Sequence, residues 1–190
     1  MIPATLNDKP LVVDILSESF DTNKSVNYVI KQDSKRAKRI KALMEYSFDN
    51  CYKFGQIWLN EDKSACALIM GPKSFSFKAL LWDIKFAVNA AGSLSVALKA
   101  SDKESKVKKH HPKHPFMHLW FIGVKKEDQG KGLGSNLIQE IEAENNGKQP
   151  IYLETSTERN LPFYQRLGFE IYHELDSPFK FYMMRKTHKN

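Results

Sequence analysis

The sequence contains little cysteine. Cys51 and Cys66 are its two cysteines, and they form no CxxC pair and stand beside no cluster of other metal ligands. A disulfide framework needs several paired cysteines, and a structural zinc site needs closely spaced ligands. The sequence therefore indicates neither, and we expect both thiols to be reduced.

The chain also lacks a hydrophobic run suited to a membrane. Its most apolar segment, residues 79–100, is interrupted by Asp83, Lys85 and Lys99, which are costly in lipid. The residues that follow Met1 lack the basic region and apolar stretch that mark a secretory signal. We therefore expect a cytoplasmic protein that does not associate with a membrane.

The excess of positive charge is modest and local. There are 29 Lys and Arg residues against 22 Asp and Glu residues, and six lysines against two acids fall within residues 99–113. This stretch and the basic run at residues 35–41 are more typical of solvated surfaces than of a nucleic-acid site. The hydrophobic fraction of 42% is enough to form one core, so we predict a single domain over residues 1–190. The oligomeric state is not indicated.

Hydrophobic periodicity predicts the elements along the chain. Apolar residues recur at helical spacing over residues 9–20, 34–52, 77–90, 94–107, 133–146 and 160–167, the last capped by Asn160. Apolar or alternating runs predict strands over residues 56–59, 65–70, 116–124, 151–155, 169–175 and 179–185. This order predicts a mixed α/β fold.

A glycine-rich segment, Gln129-Gly130-Lys131-Gly132-Leu133-Gly134, separates a predicted strand from a predicted helix. A helix start exposes backbone N–H groups with partial positive charge, and glycines let a phosphate approach them closely. The spacing is neither the GxGxxG of dinucleotide folds nor the GxxxxGK[ST] of nucleoside triphosphate loops. It predicts a cradle for a pyrophosphate, and a turn that merely starts a helix is the alternative.

The pattern Gln-x-x-Gly-x-Gly after an apolar strand resembles the acyl-CoA pyrophosphate motif of the GNAT superfamily of N-acetyltransferases. The later segment Asn160-Leu-Pro-Phe-Tyr164-Gln-Arg-Leu-Gly168-Phe169 resembles that family's second CoA-contacting helix. The segments Leu153-Glu-Thr-Ser and Arg159–Tyr164 are most similar to the branch that contains puromycin N-acetyltransferases. The specific resemblance covers about residues 116–185.

The resemblance implies a central twisted, mixed β-sheet flanked by helices, in which acetyl-CoA lies between two splayed parallel strands, residues 116–124 and 151–155. It implies acetyl-CoA as co-substrate, with a backbone N–H near Phe121 and Ile122 polarising the thioester carbonyl. Gly123 fits either a local bulge or close packing. The residues implied to bind acetyl-CoA are Ile122, Val124, Gln129, Gly130, Lys131, Gly132, Leu133, Gly134, Ser135 and Asn160.

The resemblance also implies roles in proton transfer. Tyr164 matches the family's phenolic general acid, with ring packing as the alternative. Strand alternation places His118, Trp120, Ile122 and Val124 on one face, where His118 is a candidate base and Glu154 the alternative. We expect no metal, because prolines interrupt the histidines near residue 111 and no acidic residue is spaced with them.

The function that this pattern favours is transfer of an acetyl group from acetyl-CoA to a primary amine of a small molecule, by direct attack in a ternary complex. Two alternatives stay open. One is acetylation of a protein or peptide amine, and the other is a noncatalytic CoA-binding module.

Overall fold

The strands and helices follow the hydrophobic pattern with small shifts at their ends. The computed structural model describes residues 1–71, 82–176 and 179–187. In these ranges the strands are β1 (Ile2–Pro3), β2 (Gln56–Leu59), β3 (Ala65–Met70), β4 (Met117–Val124), β5 (Ile151–Thr155), β6 (Glu170–Leu175) and β7 (Phe181–Lys186). The α-helices are α1 (Lys9–Ser19), α2 (Lys24–Tyr28), α3 (Arg36–Phe54), α4 (Leu94–Lys108), α5 (Leu133–Asn145) and α6 (Leu161–Arg166), and Phe86–Ala91 forms a π-helical segment.

The strands of the described ranges form one seven-stranded sheet in the order β1-β2-β3-β4-β5-β7-β6. Neighbouring strands run antiparallel except β4 and β5, which run parallel. The parallel pair is in register only at Met117 with Ile151 and at His118 with Tyr152. Beyond these residues the two strands separate, which confirms the predicted mixed α/β fold with splayed parallel strands.

Helices cover both faces of the sheet because each carries an apolar stripe at helical spacing. On one face, α1 and α3 bury Leu16, Met44 and Phe48 against the sheet. On the other face, α5 buries Leu137 and Ile138 in a second cluster. The sheet therefore separates two apolar layers, and β4 contributes to both. None of the helices in residues 1–71, 82–176 and 179–187 has the length and hydrophobicity needed to cross a membrane.

A β-bulge in β4 changes which side chains share a face. Leu68 pairs with Phe121 and the next residue, Ile69, pairs with Leu119, so Trp120 is the extra residue of β4. Trp120 packs against the α1 and α3 layer, whereas Ile122 and Val124 pack against the α5 layer. The prediction that His118, Trp120, Ile122 and Val124 lie on one face is therefore wrong, because simple alternation does not continue through a bulge.

Gly123 does not form this bulge, and its role is close packing. A Cβ placed on Gly123 would lie 3.0 Å from Leu16 Cδ2, 3.1 Å from Ser19 Oγ and 3.3 Å from Ile15 Cγ2. The missing side chain lets α1 lie directly on β4. Of the two alternatives for this glycine, the packing one holds.

The basic run in α3 is partly engaged within the chain. Arg36 Nη1 lies 2.8 Å from Asp21 Oδ1. Arg39 is buried, donates to both carboxylate oxygens of Asp33 and donates to the Asn89 carbonyl at 3.1 Å. The hydrogen bonds from Arg39 lower the pKa of Asp33 to about 2. Arg39 therefore ties α3 to its surroundings and is not part of a solvated face. The predicted helix over 77–90 begins among residues outside the described ranges.

Candidate active site

A large cleft opens where β4 and β5 separate. Its volume is about 1940 Å³, and it is continuous from the glycine-rich turn before α5 to the inner faces of α2 and α4. Residues from both faces of β4 line it, since Ile122 and Val124 lie on the α5 side and His118 and Trp120 on the other. The gap between the strands thus connects the two faces of the sheet.

The glycine-rich turn leaves the first N–H groups of α5 free for a ligand. Gly130 and Gly132 have φ values of 81° and 80°, a left-handed backbone that glycine adopts without strain. A Cβ on either residue would have no neighbour within 4 Å, so the space above the turn is open. The first N–H groups of an α-helix have no acceptor within the helix. Gly132, Leu133, Gly134 and Ser135 line the cleft at this point.

Most of the residues predicted to bind acetyl-CoA line the cleft. The exception is Lys131, whose ammonium lies 2.7 Å from Asp128 Oδ1 in an exposed ion pair outside the cleft lining. Gln129 lines the cleft and donates to the Val124 carbonyl at 3.1 Å. The predicted cap by Asn160 is wrong, because its side chain makes no cap hydrogen bond and its own backbone is already helical.

Glu154 lies at the centre of a buried hydrogen-bonded cluster. Its Oε2 is 2.7 Å from His118 Nε2 and its Oε1 is 2.7 Å from His111 Nε2, and only 8% of its side chain is exposed. The two sequence candidates for the base, His118 and Glu154, are therefore one unit. His111 completes this unit, which we call the Glu154 cluster.

Charge within the Glu154 cluster outweighs the effect of burial. Burial alone would raise the pKa of Glu154, but the attraction of His118 and the hydrogen bonds from both imidazoles hold it well below its usual range. Burial alone would lower the pKa of His118, but the charge of Glu154 and the hydrogen bond to it raise it above its ordinary 6.5. The carboxylate stays ionised and makes His118 a stronger base.

The same three side chains also carry donor atoms of the kind that metals bind. The ligand atoms of His111, His118 and Glu154 lie within 4.8 Å of one another. The sequence predicts no metal, partly because no acidic residue is spaced with the histidines, but the fold supplies such an acid from β5. Since each carboxylate oxygen already accepts a hydrogen bond from an imidazole, we interpret the Glu154 cluster as a proton-transfer group.

Tyr164 lines the cleft from α6, near the glycine-rich turn. Its ring packs against Phe163 and Phe169, with centroid distances of 4.9 Å and 5.8 Å. Burial raises the pKa of its hydroxyl to about 12. The phenol therefore keeps its proton at neutral pH, and the packing of the ring is compatible with a role for the hydroxyl.

Part of the chain that contains this cleft is similar to a known protein family. Residues 92–171, from α4 to β6, match the model of the acetyltransferase (GNAT) domain. This segment of the chain is therefore similar to a GNAT acetyltransferase domain. The matched segment includes the glycine-rich turn, the Glu154 cluster and Tyr164. The closer likeness to puromycin N-acetyltransferases stays a prediction.

Solved structures share the fold of this chain along its whole length. One is a Corynebacterium glutamicum structure described as "histone acetyltransferase HPA2 and related acetyltransferase". It is 23% identical over 100% of this chain and 96% of its own, with a TM-score of 0.74. Arylalkylamine N-acetyltransferase 2 from Aedes aegypti is 14% identical over 98% and 97%, with a TM-score of 0.64. An N-acetyltransferase from Staphylococcus aureus is 14% identical over 96% and 97%, with a TM-score of 0.59. At these identities the likeness shows the fold alone.

Two side chains of the cleft are not indicated by the sequence motifs. Pro112 and Pro115 interrupt any regular ligand spacing around His111, yet the loop carries its side chain to Glu154. Lys103 belongs to the basic stretch at residues 99–113 that is predicted to be a solvated surface, yet it lines the cleft. A signal for Lys103 exists in the sequence, since it lies one helical turn before the apolar Val107.

Proposed function

We propose that this protein transfers the acetyl group of acetyl-CoA to a primary amine of a small molecule by direct attack in a ternary complex. The observation that carries the proposal is the single cleft that joins the glycine-rich turn, Tyr164 and the Glu154 cluster. Phosphate binding, a proton donor and a proton acceptor are the three requirements of acyl transfer from a CoA thioester. We propose that residues 1–190 act as one such domain.

The pyrophosphate of acetyl-CoA would bind the free N–H groups at the start of α5, reached across Gly130 and Gly132. The pantetheine arm would follow β4 past Val124 and Ile122, whose side chains line the cleft on the α5 side. Hydrogen bonds from N–H groups to a charged phosphate contribute about 1.5–3 kcal/mol each. The thioester would then reach the gap between the strands.

The bulge in β4 supports the expected position of the thioester carbonyl. An extra residue in one strand leaves backbone groups without a partner in the ladder. Trp120 is that residue, directly before the Phe121 and Ile122 N–H groups expected to polarise the carbonyl. Negative charge develops on this oxygen as the amine attacks, and a fixed N–H donor stabilises it there.

The acceptor would enter from the opposite face, where His118 lines the cleft. A primary amine attacks only in its neutral form, so its ammonium must first lose a proton. His118 would take this proton, directly or through water, while Glu154 and His111 hold its ring and stabilise the imidazolium. The C–N bond then forms, the C–S bond breaks, and Tyr164 gives its proton to the departing thiolate. The second proton, which the nitrogen loses as it becomes an amide, would return through water to the Tyr164 phenolate.

A screen of amines with CoA thiol release as the readout tests the proposal, run beside calorimetric titration with acetyl-CoA. The expected result is binding of acetyl-CoA and thiol release that depends on both the amine and the protein. Binding without release from any small amine or peptide amine would instead favour the noncatalytic CoA-binding alternative. Thiol release with peptide amines but with no small amine would instead favour acetylation of a protein or peptide amine.

A further inference from the structure

Lys103 occupies a position in α4 where an apolar residue is expected. Val107, four residues later on the same face, packs with Phe181 and Met183 of β7. Ala100, one turn earlier, also lines the cleft, so Ala100, Lys103 and Val107 form one inward stripe. A charged side chain on the inward stripe of an amphipathic helix costs desolvation energy, which a packing role does not require.

The ammonium of Lys103 has no acidic partner among the residues that the structure describes. No carboxylate in these ranges lies within 4 Å of it, whereas Lys106 pairs with Asp102 and Lys108 with Glu104 on the same helix. Lys103 instead donates to Ser25 Oγ and lies 4.6 Å from the centroid of the Phe181 ring.

These contacts leave the ammonium incompletely satisfied. An ammonium has three N–H donors, of which the Ser25 hydroxyl accepts one and the ring face attracts another. Burial lowers the pKa of Lys103 to about 8, despite the attraction of Glu154 and Glu104. A bound anion would restore the interactions that the charge lost on leaving water.

The charges around Lys103 favour an anion over a second cation. The carboxylate of Glu154 is already balanced by two imidazoles, and that of Glu104 by Lys108. Within the described residues, the ammonium itself contacts the uncharged side chains of Ser25 and Phe181. Lys103 and His118 line the same cleft, so a group bound at one lies in the space that leads to the other.

We propose that Lys103 binds a carboxylate of the acceptor, so that the preferred substrates are amines that also carry a carboxylate, as amino acids do. This inference rests on the proposed acetyl transfer, because that proposal makes an acceptor amine the second ligand of the cleft beside acetyl-CoA. It makes Lys103 a specificity-determining residue. Ser25 orients its ammonium, and Phe181 borders the site.

The test compares amino acids with the amines that differ from them only by lacking the carboxylate. Wild-type protein and the Lys103→Met variant are assayed for CoA thiol release and, separately, for calorimetric binding of each amine to protein loaded with CoA. One hydrogen bond to a charged group is worth about 1.5–3 kcal/mol, so the preferred amino acid should lose roughly 10- to 150-fold in kcat/KM and in affinity. The loss should appear mainly in KM, and the matching decarboxylated amine should change less than about threefold.

Lys106→Met is the matched control, since it removes an exposed lysine from the same helix. It should change neither the thiol release nor the binding measured with the amino acids or with the decarboxylated amines. Methionine suits the apolar surroundings of residue 103, so the Lys103→Met variant should fold, which a melting curve checks. Equal loss for both members of each pair, or no preference for the carboxylate in wild-type protein, overturns the inference. If no amine releases thiol but binding of an amino acid still depends on Lys103, the proposed transfer fails and the carboxylate site stands.

Discussion

Replacement of Gly134 by alanine at the start of α5 should raise the stability of the protein while it lowers the affinity for acetyl-CoA. Gly134 lies in the first turn of the helix and has no positive φ, so alanine fits its backbone without strain. Its Cβ would lie 3.6 Å from Phe163 Cζ and 3.7 Å from Val124 Cγ2, which are ordinary contacts. Alanine in a helix is about 0.5–1 kcal/mol more favourable than glycine. In a protein of this size we therefore expect Tm to rise by roughly 1–4 °C.

The affinity for acetyl-CoA should change in the opposite direction. The new methyl group would occupy cleft space between β4 and α6, beside the N–H groups proposed to bind the pyrophosphate. Loss of one such charged hydrogen bond costs about 1.5–3 kcal/mol, which corresponds to roughly 10- to 150-fold weaker binding. Calorimetric titration with acetyl-CoA and a melting curve of Gly134→Ala measure both effects.

The matched control is Gln139→Ala, an exposed position of the same helix that should leave the affinity unchanged. Gly132→Ala is a less clean probe, because its φ of 80° makes a side chain there costly, and both stability and affinity should fall. A folded Gly134→Ala protein that binds acetyl-CoA as tightly as the wild type would refute the assignment of this turn to the pyrophosphate.

Three further outcomes are expected. Tyr164→Phe should lower kcat by roughly 10²–10⁴-fold with little change in Tm, and a fall below about threefold in steady-state kinetics would leave Tyr164 a packing residue. In the wild type the neutral, basic form of His118 appears as the pH rises through its raised pKa. The acidic limb of the pH profile of kcat/KM should therefore have its midpoint above pH 6.5. Glu154→Gln removes the charge that raises this pKa, so the limb should move to lower pH, and a limb that stays in place would contradict the role of His118. Gly123→Ala should crowd α1 and cost about 1–3 kcal/mol, or roughly 2–12 °C in Tm, and a raised Tm would contradict that packing.

Local pattern was sufficient to predict most elements, because each is amphipathic or apolar at its own period. The hairpin strands Gln56–Leu59 and Ala65–Met70 and the strand Ile151–Thr155 match the prediction residue for residue. The ends of the helices α1, α3 and α5 lie within two residues of the predicted ends. The short strand β1 and the helix α2 were not predicted, since two and five residues are too few for a periodicity to show.

The candidate site was less predictable because it depends on contacts between distant segments. The glycine-rich turn is local and was found from its spacing. The meeting of His111, His118 and Glu154 joins residues up to 43 positions apart, which no single-segment pattern encodes. The bulge at Trp120 arises from pairing with β3, so the alternation of β4 alone could not indicate where the faces change.

The most direct test of the central claim follows the acetyl group itself. Acetyl-CoA labelled in its acetyl group is incubated with wild-type protein and the amine panel, and mass spectrometry follows the label while thiol release is measured. The proposed transfer predicts labelled amide product in a one-to-one ratio with free CoA, and a fall of at least about 100-fold in its rate with Tyr164→Phe. Wild-type protein that binds acetyl-CoA but leaves the label on the thioester with every amine would contradict it.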